Sequence, residues 1–174
     1  MKHAGRTIKQ NLYGLSRLPR QLSRLRYVRG HGVHSPFVYD IVREVFMHSE
    51  FISGDTFYTE RLYQTLLEWQ VPHHSAVQIA NLCAHCDYRD ISCGTAERGD
   101  MIIVPQAVAP AQFGEYADTA RSCGATLAII APYLDRERTR ACRDIVAAHT
   151  GTSVDKWGYL LIFNNHLPKQ HFKL

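Results

Sequence analysis

No apolar run in this 174-residue chain approaches the length needed to cross a bilayer; the longest, such as Leu127–Pro132, stop far short of about 20 residues. A charged-then-apolar leader before a small-residue cleavage site is also lacking, so the sequence reads as that of a cytoplasmic protein with no transmembrane segment. Cysteines are few and odd in number: Cys83, Cys86, Cys93, Cys123 and Cys142. A disulfide framework is therefore not expected, and free thiols are. Acidic residues are absent from positions 1–39, which carry eight Lys or Arg, whereas residues 40–174 hold the other twelve bases against all sixteen acids. The net charge of +4 is thus +8 in the first 39 residues and −4 in the rest, which confines the basic character to the N-terminus.

What is present suits one main domain with a small extension, at 45% hydrophobic and 21% charged residues. Ile8, Leu12, Leu15, Leu18, Leu22 and Leu25 recur at helical spacing with Arg and Lys between them. Pro19 divides the stretch, so two short basic amphipathic helices are expected, Thr7–Leu18 and Arg20–Arg29. They suit packing on the rest of the protein or contact with an anionic surface, membrane or nucleic acid. Ser35 is placed to cap a helix with Pro36 at its first position, and a helix from Pro36 to about His48 follows with Phe37, Ile41 and Val45 on its apolar stripe. A further helix, Thr56–Trp69, ends before Pro72.

From Ala76 the spacing changes. Ala76–Leu82 reads as a strand, Asp87–Ser92 as a weak strand or loop, and Asp100–Val104 as a short buried strand. Pro110–Cys123 reads as a helix closed by Gly124, Thr126–Ala131 as an interior strand, and Asp135–His149 as a helix with Ala141, Cys142, Ile145 and Val146 inward. Thr152–Trp157 and Tyr159–Asn164 then form an antiparallel hairpin turning near Gly158. Strands alternating with helices before a hairpin predict an α/β fold, a truncated Rossmann-like three-layer sandwich with an N-terminal helical extension. Its division is read as 1–72, basic extension and cap, and 73–174, the reduced sheet domain.

Two segments carry a resemblance. Arg29-Gly-His-Gly-Val-His-Ser-Pro-Phe-Val-Tyr-Asp, together with Asp155-Lys-Trp-Gly-Tyr-Leu-Leu-Ile-Phe and Lys169-Gln-His-Phe-Lys-Leu, is similar to the opening and closing segments of a bacterial family of class I, S-adenosylmethionine-dependent methyltransferase-like proteins. The resemblance covers roughly residues 29–70 and 126–174, and implies a Rossmann-like fold, S-adenosylmethionine as cofactor and methyl transfer as activity. Between those ends the chain departs from the family. Its members place an E-L-G-x-x-x-G-type loop after the first strand, where a bare backbone admits the cofactor. Here no glycine lies between Gly54 and Gly94, Gln78 and Ala80 stand where the acid and first glycine are sought, and the expected strand runs into Cys83-Ala-His-Cys. Only seventeen residues separate Leu82 from Asp100, too few for strand, helix and strand. Asn81, Gln106 and Tyr133 stand as neutral residues at the remaining strand ends.

The expectation is accordingly a pseudoenzyme: a degenerate methyltransferase-like protein without cofactor that acts as a binding or structural domain. Gln78, Ala80, Asn81, Gln106 and Tyr133 are its vestigial cofactor-side positions, and no catalytic residue is assigned. His31 and His34, before a helix start, are substrate-side candidates by the resemblance; alternatively they serve only a tight turn set by Gly30 and Gly32. An active small methyltransferase using His31, His34 and the strand ends is the second reading. An anionic-surface binder working through residues 1–30 is the third. Cys83, His85, Cys86 and Cys93 include enough soft ligands for zinc, but Cys93 has no matched partner, so no metal site is expected. A shortened sheet with an open edge would favour a homodimer.

Overall fold

A computed structural model describes residues 34–52 and 56–174. The two basic helices expected before residue 30, and His31, lie outside the described residues. The remainder is an α/β protein with five α-helices and a mixed six-stranded sheet among those residues.

The chain enters through α1 (Pro36–Ile41), continued without a break by a π-helical turn, Val42–Phe46. Ser35 caps it as expected, its Oγ accepting from the Val38 N–H, and Pro36 occupies the first turn where no donor is needed. Next come α2 (Thr56–Glu68) and α3 (His73–His85), then β1 (Ile91–Cys93) and β2 (Met101–Val104). A 3-10 turn at Pro110–Gln112 leads into α4 (Phe113–Cys123), which Gly124 closes in the left-handed region. Then follow β3 (Thr126–Ile130), α5 (Arg136–Ala148), β4 (Thr152–Asp155), β5 (Tyr159–Phe163) and β6 (Gln170–Lys173).

The segment expected as the first strand is a correction. Ala76–Leu82 lies inside α3, where every residue from Ser75 to Cys83 is buried. A helix enclosed on all sides has no polar stripe to display, and a short apolar run of this kind has the same appearance in helix and strand. Its two polar interior residues, Gln78 and Asn81, sit three apart on one face and are met there by the 46–52 segment.

The sheet order is β1-β2-β3-β5-β4-β6. β1, β2 and β3 run parallel; β5 is antiparallel to both β3 and β4, with Asp155 opposite Leu160 across the expected hairpin. β6, which the sequence reading left unassigned, pairs parallel with β4. Successive strand residues alternate between two cores. Met101, Ile103, Ala128, Ile130, Leu161 and Phe163 face α1, α2 and α3, whereas Ile102, Val104, Leu127, Ile129, Leu160 and Ile162 face α4 and α5. Coverage on both faces explains why β2, β3 and β5 are buried along their whole length. The first of these cores takes side chains from both sides of residue 72. No helix among the described residues is long and apolar enough to cross a membrane.

Between β1 and β2 the chain makes a parallel connection without a helix, though such crossovers ordinarily take about a dozen residues or more. The scarcity of residues before Asp100, noted in the sequence, is thus met by one strand and a short loop. Asp100 secures the loop: its carboxylate accepts the N–H groups of Arg89 at 2.8 Å and Asp90 at 2.9 Å, and its own N–H donates to the Asp90 carbonyl at 2.7 Å. Those backbone donors, Asp90 first, hold the Asp100 carboxyl below its ordinary range. A Cβ on Gly99 would lie 2.7 Å from the Asp90 carbonyl oxygen, so only glycine fits there. Gly99→Ala is expected to lower unfolding free energy by about 1–3 kcal/mol, as overpacking does. A urea midpoint equal to that of the parent would contradict this account of the link.

Candidate functional site

Ligands of open α/β sheets bind outside the carboxyl ends of the parallel strands. Here that edge collects the turns after Cys93, Val104, Ile130 and Asp155, and the start of β5 at Tyr159. The turn after the sheet's first strand holds Gly94, at φ +81°, and not the 83–86 segment. The expectation of a glycine-free first turn is thereby corrected. Space beside Gly94 is nonetheless taken: a Cβ there would meet the Trp69 ring at 3.6 and 3.8 Å and Pro105 at 3.8 Å, and the Gly94 carbonyl accepts from the Tyr116 hydroxyl at 2.8 Å.

The turns after β2 and β3 are bound together by one side chain. Arg138, in the first turn of α5 behind the cap residue Asp135, is 1% exposed. Its guanidinium donates to the carbonyls of Ile130 (2.8 and 3.2 Å), Pro105 (3.0 Å), Val108 (2.8 Å) and Gln106 (3.4 Å), and lies 4.7 Å from the Phe113 ring centroid. Burial lowers its pKa, the nearby Cys142 and Asp135 opposing that shift. Arginine keeps its charge even so. Hydrogen bonds from a cation are the strong kind, and here they satisfy carbonyls that the strand ends leave without ladder partners.

On the other side of the edge, Tyr133 stacks on Trp157 with centroids 5.9 Å apart, and its hydroxyl donates to the Asp155 carboxylate. The Lys156 ammonium sits 4.7 Å from the centre of the Phe46 ring. Below them, Gln78 of α3 donates to the Phe46 carbonyl (2.8 Å) and to His74 Nε2 (2.9 Å), and accepts the buried Tyr159 hydroxyl (2.8 Å). This arrangement requires a neutral His74 with Nε2 as acceptor. Burial first, then Lys156 and His73, lower the His74 pKa accordingly. Asn81 fastens the neighbouring segment, donating to the Glu50 carbonyl and accepting from the Ile52 N–H, each at 2.9 Å.

Of the vestigial cofactor-side positions, Gln106 and Tyr133 therefore stand at the strand ends, while Gln78, Ala80 and Asn81 lie along a helix. Ala80 is fully buried. Gln78 reaches the edge only through Tyr159 and His74. His34 is exposed ahead of α1, whose Phe37 packs edge-on against Phe163 at 5.0 Å. Phe163 pairs with Thr126 and Thr152, the first residues of β3 and β4, so His34 belongs to the opposite end of the sheet from Gln106 and Tyr133.

Cys83, Cys86 and Cys93 all border the first core. Cys83 is buried in α3 against Met101, Cys86 caps the end of that helix, and Cys93 ends β1. Burial raises the pKa of all three thiols. Among the described residues, no group of three or more His, Cys, Asp or Glu could hold a metal ion. His85 instead pairs with Asp40 at 3.0 Å.

Arg138, Trp69 and Tyr116 were not singled out from sequence. For Arg138 a signal existed: it precedes the inward residues Cys142 and Ile145 by four and seven positions, which sets a charge on the buried stripe of its helix. No protein-family model matches this chain, and neither does any curated protein or solved structure.

Two outcomes follow for stability. Arg138→Met should cost at least about 3 kcal/mol in denaturant unfolding, since hydrogen bonds to charged groups are worth about 1.5–3 kcal/mol each; a loss below 1 kcal/mol, on the order of an ordinary surface change, would show the strand ends to be held otherwise. The second concerns His149, 4% exposed, whose Nε2 bonds the Phe163 carbonyl at 3.1 Å. Burial depresses its pKa below 6.5, against the backbone bonds to Phe163 and Thr152. The unfolded chain then takes up a proton near 6.5 that the folded chain refuses, so stability falls as pH drops through that value and is level above it. His149→Gln should flatten the decline in urea midpoint between about pH 7.5 and 5.5. Parallel pH profiles for the two chains would remove His149 as its source.

Proposed function

We propose that this protein is a methyltransferase-like α/β domain that has lost its cofactor and works as a binding or structural domain. The observation that carries the reading is Arg138, which fills the junction of the β2 and β3 ends with protein–protein hydrogen bonds where a ligand of such a sheet would lie. Trp69 against Gly94 supports it at the next turn. So do Gln78 and Asn81, whose amide groups are engaged with the 46–52 segment. The sheet order is compatible with the family resemblance of the chain's two ends, since a parallel set is extended by a hairpin whose second strand runs antiparallel between β3 and β4.

The function is then that of a rigid surface and not of a pocket, because the groups that could polarise a substrate are engaged with one another. Titration calorimetry with S-adenosylmethionine and with S-adenosylhomocysteine should give no binding heat up to millimolar ligand, on the scale of about 4 kcal/mol of affinity. Saturable micromolar binding of either compound would overturn the proposal.

A further inference from the structure

The outer face of α5 plays no part in the strand-end arrangement. Arg136, Arg140 and Arg143 are all exposed and fall four and three residues apart, which sets them in one row along the helix. Among the described residues none of the three forms an ion pair with a carboxylate. Glu137 and Asp144, three and four residues from Arg140, border the row on one flank, Asp144 lining the groove between α4 and α5, and among the described residues neither pairs with an arginine of the row. Lys169 extends the positive row at its lower end, its ammonium donating to the Ala147 carbonyl at 2.6 Å. From the 1.5 Å rise per residue the arginines span about 10 Å.

We propose that this row binds the phosphate backbone of a nucleic-acid duplex. Each guanidinium presents a planar fork suited to phosphate oxygens. Three guanidiniums in such a row can meet up to three phosphates of a duplex, which carries one negative charge per ~1.7 Å of axis. An anionic membrane is the less fitting partner. A helix that lies in a bilayer surface inserts apolar side chains beside its charges, whereas Cys142, Ile145 and Val146 of α5 are packed against the sheet and only Ala147 stands near the arginines. The contact proposed is to phosphate oxygens, which fix position on a duplex and carry no sequence information. It involves neither the strand ends nor residues 1–30, and cofactor titration bears on it in no way.

The test uses the full chain and a fluorescein-labelled 20-base-pair DNA duplex, read by anisotropy across a salt series, with phosphatidylserine vesicles in parallel. Arg136→Gln, Arg140→Gln and Arg143→Gln combined should weaken duplex binding about tenfold or more at 50 mM salt and reduce the slope of log K against log salt by about 2–3. Glutamine is as good a helix former as arginine, so folding is preserved. Glu137→Gln with Asp144→Asn, which removes the flanking acids, should tighten binding in the same assay. The proposal is overturned if the parent chain does not bind the duplex at 50 mM salt, if it binds the vesicles and not the duplex, or if the triple variant matches the parent.

Discussion

A guanidinium inside the protein, with carbonyl oxygens as its hydrogen-bond acceptors, is the constraint on which the upper half of this molecule depends. Arg138 brings a charge into the interior, which is costly unless its donors are all directed at acceptors. The strand ends supply those acceptors, because backbone that leaves a sheet has carbonyls without ladder partners. Each side relieves the other: the carbonyls of Pro105, Gln106, Val108 and Ile130 gain a cation, and the cation gains oxygen ligands in place of water. The result ties the turn after β2, the turn after β3 and the first turn of α5 into one unit.

The same preference for internal contacts runs along the other layer. The π-helical turn at Val42–Phe46 ends in a carbonyl that Gln78 takes up, and the residues after it are held by Asn81. Two side-chain amides on one face of α3 thus do for a loop what a strand ladder would do for a sheet. Because α3 is buried from Ser75 to Cys83, those amides have protein and not solvent as their surroundings, where an unmet hydrogen bond would cost most.

Much of the architecture was legible in the sequence wherever turn chemistry and burial agreed. Ser35-Pro36, Gly124 and Asp135 mark element ends by backbone rules that do not depend on tertiary context, and the elements they bound are present. Ala76–Leu82 was misread because a helix with no solvent-facing side loses the polar stripe that distinguishes it, leaving Val77 and Ile79 to mimic alternation. That error displaced the candidate site as well. With the segment read as a strand, Gln78 and Asn81 became ligand-facing positions; as a helix, they face the 46–52 segment. β6 was missed since Gln170–Lys173 is half exposed and pairs with β4 across a hairpin, a long-range relation with no local signature. Arg138 could have been found by asking why a charge occupies an inward position.

The two borders of the sheet are unlike its middle. One is β1, three residues long, and the other is β6, where His171 and Lys173 point outward in alternation with Gln170 and Phe172. A row of free amide groups recruits a stray strand only if it is long, flat and uncharged. The first border is too brief and the second bears a lysine, so neither offers a template for edge-to-edge growth, and the apolar strands between them are kept from seeding aggregates.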